Sequence, residues 1–392
     1  MIYLDSAATT LQKPAAVSNA MRMAMRSMGS PGRGGHRPAM LAAETAFACR
    51  EKAAQLFGVR DPERVVLTFN ATHGLNIAIK SLVKPGSTVL ISGYEHNAVT
   101  RPLAALKGVK VRVAQAPLFR PDLLVRQFEE LMTEEVSAVV CIHVSNVFGY
   151  VLPLPEIAAL CRARQKPLIV DASQSAGCLP VSLEEWGAAF VAMPGHKGLY
   201  GPQGTGLLLC SEETVHPLIE GGTGSASAQQ EMPDFLPDRL EAGTHNIPGV
   251  AGLLEGLRFV EKQGTAAILE HERRLALRAA RGLERIPGVE VFAGPGLLNQ
   301  AGVLSFRTLT MDCEAVGEAL GQAGVAVRAG LHCAPLAHRS AETFESGTVR
   351  VSFSAFNQLW EADRLVVEVS KLVGGTARAA EGRREKSGRP PA

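Results

Sequence analysis

The chain has 392 residues, of which 46% are hydrophobic and 20% are charged, and its formal net charge is +2. This length is enough for two domains of ordinary globular composition, and the balanced charge gives no reason to expect a nucleic-acid or anionic-membrane partner. No apolar run reaches the roughly 18 residues of a membrane span, and the opening MIYLDSAATT lacks the basic and apolar regions of a signal peptide.

Before Gly252 the sequence alternates between strand-like and helix-like segments. Seven short apolar runs between residues 64 and 211 are strand candidates: RVVLTF, STVLIS, KVRVA, SAVVCIHVS, PLIVDAS, AAFVAMP and TGLLLCS. Most are continuously apolar, which is typical of strands that are covered on both faces of a sheet. Helix-like segments lie between several of them, at 72–83, 121–132 and 155–165. The pattern predicts an α/β fold with a mostly parallel sheet, in which ligands bind at the carboxyl ends of the strands.

After Gly252 the pattern changes to that of a smaller α+β unit. Residues 253–285 are predicted to be helical, short strands are expected near 289–293, 302–307, 325–328 and 348–353, and a helix near 359–373. We expect a large domain over 16–252 and a small domain formed by 1–15 and 253–375. The remaining residues, 376–392, contain Gly, Pro and charge without apolar periodicity, which predicts a disordered tail.

The chain has seven cysteines, an odd number, and none has the CxxC or Cys/His spacing of a metal site. This usage predicts no metal centre and a reducing, cytoplasmic environment. Cys333 differs from the others, because VRAGLHCAPLAHR places it in a predicted loop five residues after Arg328. A thiolate beside cationic groups is a better nucleophile, although an inert loop thiol would give the same pattern.

Two charged residues directly follow or end predicted strands. Lys197, between His196 and Gly198, comes just after AAFVAMP. It is either an ordinary surface lysine or a buried amine whose lowered pKa suits Schiff-base formation. Asp171, in PLIVDAS, either caps a turn or pairs with a protonated pyridine nitrogen. Gln174 is three residues further on, so a turn could bring it to the same ligand.

Three more residues are candidates for ligand binding. Thr72 lies at a predicted helix start, where amide groups and a hydroxyl can hold a phosphate. His96 comes just after the strand STVLIS, and Arg350 lies in a predicted strand, where it can bind a carboxylate through two hydrogen bonds. Each of these also fits an ordinary structural role, so the functional hypothesis depends on their combination.

With these residues in this order, the sequence resembles a cysteine desulfurase of the class V aminotransferase superfamily. The motifs D-x-x-Q, G-H-K and R-x-G-x-x-C-A occur in that order, and the resemblance extends from YLDSAATT to about residue 373. The loop RAGLHCA is similar to that of the SUF-type desulfurases and selenocysteine lyases. The resemblance implies a fold-type-I architecture with a seven-stranded large domain, pyridoxal 5'-phosphate (PLP) as cofactor, and a homodimer. It also implies conversion of L-cysteine to L-alanine, with the sulfur transferred to a cysteine as a persulfide.

The same resemblance implies a role for individual residues. Lys197 would bind PLP as a Schiff base, Asp171 would pair with the pyridine nitrogen, and His96 would stack on the ring. The implied cofactor-binding residues are Lys197, Asp171, Gln174, His96, Thr72, Ala71, His196 and Thr223, the last supplied by the other subunit. The implied substrate-binding residues are Arg350, Asn146 and Arg328, and the implied catalytic residues are Lys197, Cys333 and His96.

One position departs from the family pattern. Pro194 occupies the place where the family usually has Ser or Thr, whose hydroxyl binds the cofactor phosphate. Because one hydrogen bond contributes about 0.5–3 kcal/mol, its loss is expected to weaken PLP binding without abolishing it.

Three other functions remain open at this point. A selenocysteine lyase shares nearly all of these residues. An aminotransferase of the same superfamily has no need for the Cys333 loop, and a non-catalytic sulfur-carrier scaffold would be expected to lose Lys197 or Asp171. The resemblance also implies a sulfur-acceptor protein as a partner, with iron–sulfur cluster assembly, thiolation or selenium metabolism as possible destinations.

Overall fold

The computed structural model describes residues 1–32 and 34–387, and only the backbone of residues 376–387. The strands are β1 (Ile2–Tyr3), β2 (Val65–Thr68), β3 (Thr88–Ser92), β4 (Lys110–Ala114), β5 (Val136–Ile142), β6 (Leu168–Asp171), β7 (Phe190–Pro194), β8 (Gly206–Cys210), β9 (Val289–Phe292), β10 (Val303–Thr308), β11 (Val325–Ala326), β12 (Arg328–Gly330) and β13 (Thr348–Ser352). The α-helices are α1 (Ala15–Ser27), α2 (Arg37–Phe57), α3 (Ala71–Leu82), α4 (Asn97–Ala105), α5 (Pro121–Leu131), α6 (Leu154–Ala163), α7 (Leu183–Trp186), α8 (Ile247–Gln263), α9 (Thr265–Leu283), α10 (Cys313–Gln322), α11 (Pro335–Ser340) and α12 (Leu359–Ser387).

The central feature is a seven-stranded sheet in the order β2-β8-β7-β6-β5-β3-β4. Strand β8 runs antiparallel to β2 and β7, and the other neighbouring pairs are parallel. All residues of β6, β7 and β8 are buried, which explains why these segments are continuously apolar. The seven predicted strands and the mostly parallel α/β fold are confirmed.

The three helices predicted between these strands are confirmed as α3, α5 and α6, with ends that differ by at most two residues. The sequence analysis assigned no element to residues 15–57, where the structure has α1 and α2. Helix α2 buries mainly alanines, including Ala39, Ala42 and Ala53. Alanine is only weakly hydrophobic, so the sequence of α2 shows little of the apolar periodicity from which helices are predicted.

A second, antiparallel sheet has the order β12-β13-β10-β9, and β1 pairs in parallel with β11. The apolar core beside these two sheets is formed by residues between 275 and 373, and Ile2 and Leu4 pack into it. The N-terminal strand thus packs with the C-terminal part of the chain. The domain boundaries at residues 15/16 and 252/253 stay a prediction, and the apolar side of α8 packs in the core of the large sheet.

The helical prediction for 253–285 is corrected in one respect, since the structure has two helices there. Helices α8 and α9 meet at Gly264, whose φ of 80° and ψ of 131° are incompatible with a continuous helix. A conformation with positive φ favours glycine, which has no Cβ to clash with the backbone.

The predicted tail also differs from the structure. The backbone of residues 376–387 continues α12, where disorder was expected. Its sequence, TARAAEGRREKS, is rich in Ala, Arg, Glu and Lys, which have high intrinsic helix propensity. Residues 388–392, the rest of the predicted tail, lie outside the described residues. Within the described part of the chain, no helix has both the length and the apolarity to cross a membrane.

We expect Gly264→Ala to lower the free energy of unfolding by about 1–3 kcal/mol, because alanine is strained at this backbone conformation. Gly321→Ala in α10 is the matched control, since its Cβ would meet no atom within 4 Å. The control should leave stability unchanged or raise it by up to about 1 kcal/mol. Urea unfolding measures both, and equal effects of the two variants would contradict the prediction.

Candidate active site

Most of the predicted site residues line one cavity of about 90 Å³ at the carboxyl ends of the parallel strands. The predicted residues in its wall are Ala71, Thr72, His96, Asn146, Asp171, Gln174, His196 and Lys197. His96 follows β3, Asn146 follows β5, Asp171 ends β6, and Lys197 follows β7. Neighbouring parallel strands end at the same edge of a sheet, so the fold brings these side chains together.

Lys197 lies in a tight loop just after β7. Gly198 packs so closely on the carbonyl oxygen of Ala176 that a Cβ at this position would collide with it. Burial lowers the pKa of Lys197 to about 8, and the nearby charge of Asp171 opposes this shift. Its amine has no hydrogen-bond partner among the described residues. An amine in this state is a good nucleophile near neutral pH.

Asp171 is almost completely buried, with 1% of its surface exposed. Its Oδ1 accepts a hydrogen bond from the Ser173 N–H at 2.9 Å, as in the turn cap considered in the sequence analysis. No cationic side chain of the described residues donates a hydrogen bond to it. A buried carboxylate without such a partner fits the protonated nitrogen of a heterocyclic ligand.

His96 caps the N-terminus of α4. Its Nδ1 accepts a hydrogen bond from the Ala98 N–H at 3.0 Å, so in the neutral ring the proton is on Nε2. Burial lowers the pKa of His96, although the charge of Asp171 acts in the opposite direction. The cap therefore fixes both the position and the tautomer of this imidazole, a role that the sequence did not indicate.

The N-terminus of α3 provides a second polar surface of the cavity. The helix begins at Ala71, and the cap residue Asn70 accepts the His73 N–H at Oδ1 over 2.9 Å. Among the described residues, the N–H groups of Ala71 and Thr72 have no hydrogen-bond partner. Free amides at a helix N-terminus bind phosphate.

His196 also lines this cavity. Its Nδ1 is buried without a hydrogen-bond partner in the described structure. Burial lowers the pKa of His196 to about 4, so the ring is neutral at neutral pH. Pro194 also lines the cavity and contributes no donor, as the sequence predicted.

Gln174 is held by the N-terminal segment of the chain. Its Nε2 donates a hydrogen bond to the carbonyl oxygen of Ala7 at 3.0 Å. The amide nitrogen is thus engaged, and the side-chain oxygen stays available to a ligand in the cavity.

The loop that contains Cys333 is hydrogen-bonded to Asn146 in the wall of this cavity and to Asn97 next to it. His332 and Cys333 both have positive φ values, 49° and 56°. The carbonyl oxygen of His332 accepts the Asn146 Nδ2 at 2.8 Å, and that of Cys333 accepts the Asn97 N–H at 2.8 Å. Cys333 is exposed, whereas the other six cysteines are buried. The two asparagines therefore fix an exposed thiol beside the helix that His96 caps.

Arg350 and Arg328 meet at a residue that the sequence analysis missed, Asp5. Arg350 donates from Nη2 to Asp5 Oδ1 and from Nη1 to the Asn146 carbonyl oxygen, both at 2.9 Å. Arg328 donates from Nη2 to Asp5 Oδ2 at 2.9 Å. The available signal was an aspartate directly after the apolar start of the chain, in YLDSAATT.

Thr223 does not line the cavity that contains Lys197 of the same chain. It lines a separate cavity of about 750 Å³ with Arg50, Glu241 and His245. Its hydroxyl lies 3.0 Å from that of Ser225. The role predicted for Thr223 requires a second subunit.

Comparisons with known proteins agree with this arrangement. The profile of the family Aminotransferase class-V matches residues 2–365. A "Probable cysteine desulfurase" of Methanothermobacter thermautotrophicus is 32% identical over 388 residues, covering 95% of each chain. The "Cysteine desulfurase" of Escherichia coli O157:H7 is 33% identical over 390 residues, covering 95% of this chain and 93% of the relative. The chain belongs to the cysteine desulfurases. The family and the fold expected from the sequence are thereby confirmed.

Other relatives are longer than this chain. It spans 56% of the length of a "Probable cysteine desulfurase" of Mycolicibacterium paratuberculosis, which is 30% identical over 389 residues. Among solved structures, the apo cysteine desulfurase of Thermococcus onnurineus NA1 matches with a TM-score of 0.86 at 29% identity, covering 95% of both chains. The cysteine desulfurase CsdA of E. coli matches with a TM-score of 0.82 at 28% identity, covering 94% of both chains.

The residues of the cavity fit PLP, the cofactor that this family implies. Lys197 supplies an unpaired amine, Asp171 supplies a buried carboxylate, and α3 supplies free amides at its N-terminus. These three features lie in the wall of one cavity.

We expect the rate of PLP uptake by the cofactor-free protein to rise with pH and to level off above about pH 8, because the neutral amine of Lys197 is the attacking form. Stopped-flow absorbance of the lysine-bound cofactor measures this rate, and Lys197→Ala gives the background. A rate that keeps rising towards pH 10, where an ordinary lysine titrates at about 10.4, would contradict it.

Proposed function

We propose that this cysteine desulfurase uses PLP to convert L-cysteine into L-alanine, with the sulfur transferred to Cys333 as a persulfide. One observation carries the proposal: the Cys333 loop is hydrogen-bonded to Asn146, which lines the cavity that contains Lys197, and to the N–H of Asn97, the residue after the cavity residue His96. An aminotransferase needs the lysine but has no use for a thiol held at this position.

Lys197 would bind the aldehyde carbon of PLP, and Asp171 would keep a proton on its pyridine nitrogen. The amides of Ala71 and Thr72, together with His196, would hold the phosphate, while His96 would stack on the ring. When bound, PLP supplies an electron sink that stabilises negative charge at the substrate Cα.

Arg350 would bind the substrate carboxylate. Its side chain is buried, and its Nε has no hydrogen-bond partner in the described structure. An unpaired donor on a buried guanidinium is costly, and a carboxylate ligand removes that cost. Asn146 would orient the substrate beside it, since its backbone oxygen already binds Arg350.

Lys197 would remove the Cα proton, because its lowered pKa makes the neutral amine available near pH 8. The Cys333 thiolate would attack the substrate sulfur. A sulfur–sulfur bond forms as the Cβ–S bond breaks, and Cβ keeps the electron pair and takes a proton. The products are alanine and the Cys333 persulfide, without any external oxidant. The Nε2–H of His96, whose Nδ1 is engaged by the Ala98 N–H, would exchange a proton in these steps.

The proposal includes a homodimer in which Thr223 of each chain completes the phosphate site of the other. It also includes a sulfur-acceptor protein that removes the persulfide sulfur, with iron–sulfur cluster assembly as a destination, and a cytoplasmic location. Two observations support these parts of the proposal: Thr223 lines a cavity that does not include Lys197 of its own chain, and Cys333 is exposed.

We expect Cys333→Ala to retain the visible absorbance of lysine-bound PLP and to lose at least about a hundredfold in alanine formation from L-cysteine, because the sulfur then has no acceptor. Lys197→Ala should lose both the absorbance and turnover. Alanine and sulfide are measured together in the presence of a thiol reductant. Cys178→Ala, at a buried thiol, is the control and should keep turnover. Full activity of Cys333→Ala would contradict the assignment of the nucleophile.

We expect an equimolar mixture of Lys197→Ala and Thr223→Val subunits to be more active than the mean of the two variants assayed separately. In a mixed dimer, one site combines the intact Lys197 of one chain with the intact Thr223 of its partner. The subunits are unfolded together and refolded, and alanine formation is compared with that of each variant treated separately. Activity equal to the mean of the two separate variants would contradict the shared site.

A further inference from the structure

The imidazole of His332, the residue before Cys333, has a hydrogen-bond partner that the proposed reaction does not explain. Its Nε2 lies 3.1 Å from the carbonyl oxygen of Thr348 and 3.2 Å from the hydroxyl oxygen of the same residue. A carbonyl oxygen only accepts hydrogen bonds, so Nε2 carries the proton and Nδ1 does not. Burial lowers the pKa of His332 to about 2, so the ring is neutral at neutral pH. His332 is therefore a constant hydrogen-bond donor to the first residue of β13.

From Thr348 the hydrogen bonds continue to the loop after β5. The Thr348 hydroxyl donates to Ser305 Oγ at 3.4 Å, and Ser305 Oγ donates to the carbonyl oxygen of Val147 at 2.6 Å. The preceding residue, Asn146, donates from Nδ2 to the carbonyl oxygen of His332 at 2.8 Å. His332, Thr348, Ser305, Val147 and Asn146 thus form a closed hydrogen-bonded ring, which begins and ends at His332.

The hydrogen-bonded ring is buried. All five members are buried, and Thr348, Ser305 and Val147 have no exposed surface. The imidazole of His338 packs on that of His332, with ring centroids 5.8 Å apart and planes 28° apart. Removal of one donor would leave a buried acceptor without a partner, which is more costly than the loss of an exposed hydrogen bond.

The hydrogen-bonded ring also contacts the residue proposed to bind the substrate carboxylate. Arg350 donates from Nη1 to the carbonyl oxygen of Asn146 at 2.9 Å, and it lies two residues after Thr348 on β13. Its strand partner on β10 is Ser305, another member of the ring. The charge of Cys333 acts on Arg350, so the thiol and the guanidinium are close to each other. The ring therefore connects the carboxylate site to the loop that carries the nucleophile.

We propose that His332 is a positioning residue, which anchors the Cys333 loop to β13 so that the thiol meets the sulfur of a substrate whose carboxylate is on Arg350. This inference rests on the proposed function. His332 and Cys333 have φ values of 49° and 56°, which are unfavourable for residues with a Cβ. A loop in this conformation needs contacts from outside to keep one position, and the bond to Thr348 supplies one directly beside the thiol.

The test compares L-cysteine with L-cysteine sulfinate on the PLP-loaded enzyme. The thiol must attack the sulfur of cysteine. From the sulfinate, the Cβ–S bond breaks, Cβ keeps the electron pair and takes a proton, and sulfur dioxide leaves and is hydrated to sulfite, so no thiol is needed. We expect His332→Asn to lower kcat for alanine formation from cysteine at least about tenfold, without a matching rise in KM. Its kcat on sulfinate should stay within about twofold of wild type.

Two amide variants separate the hydrogen bond from the backbone conformation. Asparagine tolerates positive φ, but its amide takes the place of Nδ1 and is too short to reach Thr348. Glutamine is one methylene longer and can place an N–H near the position of Nε2, so His332→Gln should recover most of the loss. His271→Asn is the matched control, because it removes a similar contact, 2.9 Å from a ring nitrogen to the carbonyl oxygen of Asn357, outside the cavity of Lys197.

Ser305 tests whether the ring acts as a unit. Ser305→Ala removes the hydrogen bond to Val147 and should also lower kcat on cysteine while sparing sulfinate. Added to His332→Asn, it should lower kcat on cysteine by less than about a further twofold, because the ring is already open. The absorbance of lysine-bound PLP and the melting temperature show that each variant is folded and loaded.

Alkylation of Cys333 separates this inference from the proposed turnover. The thiolate displaces bromide from 3-bromopropionate or iodide from iodoacetamide, and a sulfur–carbon bond forms as the halide leaves with the electron pair. Only the first reagent has a carboxylate for Arg350, and the other six cysteines are buried. In wild type, the rate with 3-bromopropionate should saturate, and His332→Asn should lower the limiting rate roughly fivefold while the iodoacetamide rate is unchanged. Mass spectrometry identifies the alkylated residue.

The outcomes distinguish the two proposals. Absence of saturation in wild type would contradict the carboxylate site of the proposed function. Saturation with an equal limiting rate in His332→Asn would contradict only the role of His332.

Three further results would overturn the inference. Equal losses on cysteine and sulfinate in His332→Asn would mean that His332 only supports the fold of the site. A loss in His332→Gln as large as that in His332→Asn would mean that the bond to Thr348 is not the cause. If His332→Asn does not fold, unchanged turnover of cysteine by Ser305→Ala would overturn the inference.

Discussion

The site depends on burying one amine and one carboxylate at the ends of neighbouring strands. Strands β6 and β7 are parallel, so Asp171 at the end of β6 and Lys197 just after β7 lie at the same edge of the sheet. A buried charge is unfavourable unless it has a compensating charge, and each of these groups supplies one for the other. The nearby carboxylate opposes the effect of burial on the Lys197 pKa, which stays near 8 instead of falling further.

The N-terminal segment closes this site from the other end of the chain. The Thr10 N–H donates to the His196 carbonyl oxygen at 3.1 Å, Ala7 accepts the side chain of Gln174, and Asp5 binds Arg350. These contacts join residues more than 160 positions apart. Contacts between residues so distant along the chain close long loops, and the entropy lost in closing them slows folding.

The sequence predicted those features that depend on neighbouring residues, namely the strands of the large sheet and the polar residues at their ends. Continuous apolar runs gave the seven strands, and polar residues at their ends gave Asp171, His96 and Lys197. It failed where the decisive partner is distant in sequence. The sequence around Asp5 shows an aspartate after an apolar start, but it does not indicate that the partners are two arginines more than 320 residues away. Nothing near Asn146 indicates that its side chain holds the Cys333 loop, for the same reason.

The Cys333 loop shows why one of seven thiols is suited to react. Burial raises the pKa of the other six, including Cys49 to about 12, so those thiols stay protonated and unreactive. His332 and Cys333 are two successive non-glycine residues with positive φ, a conformation that costs about 1–3 kcal/mol at each residue. The hydrogen bonds from Asn146 and Asn97 to the two carbonyl groups offset part of this strain. The side chain of His332 is also held, through hydrogen bonds with Thr348, whereas no described residue hydrogen-bonds the Cys333 thiol. A thiol without a fixed partner suits the sulfur transfer that we propose for it.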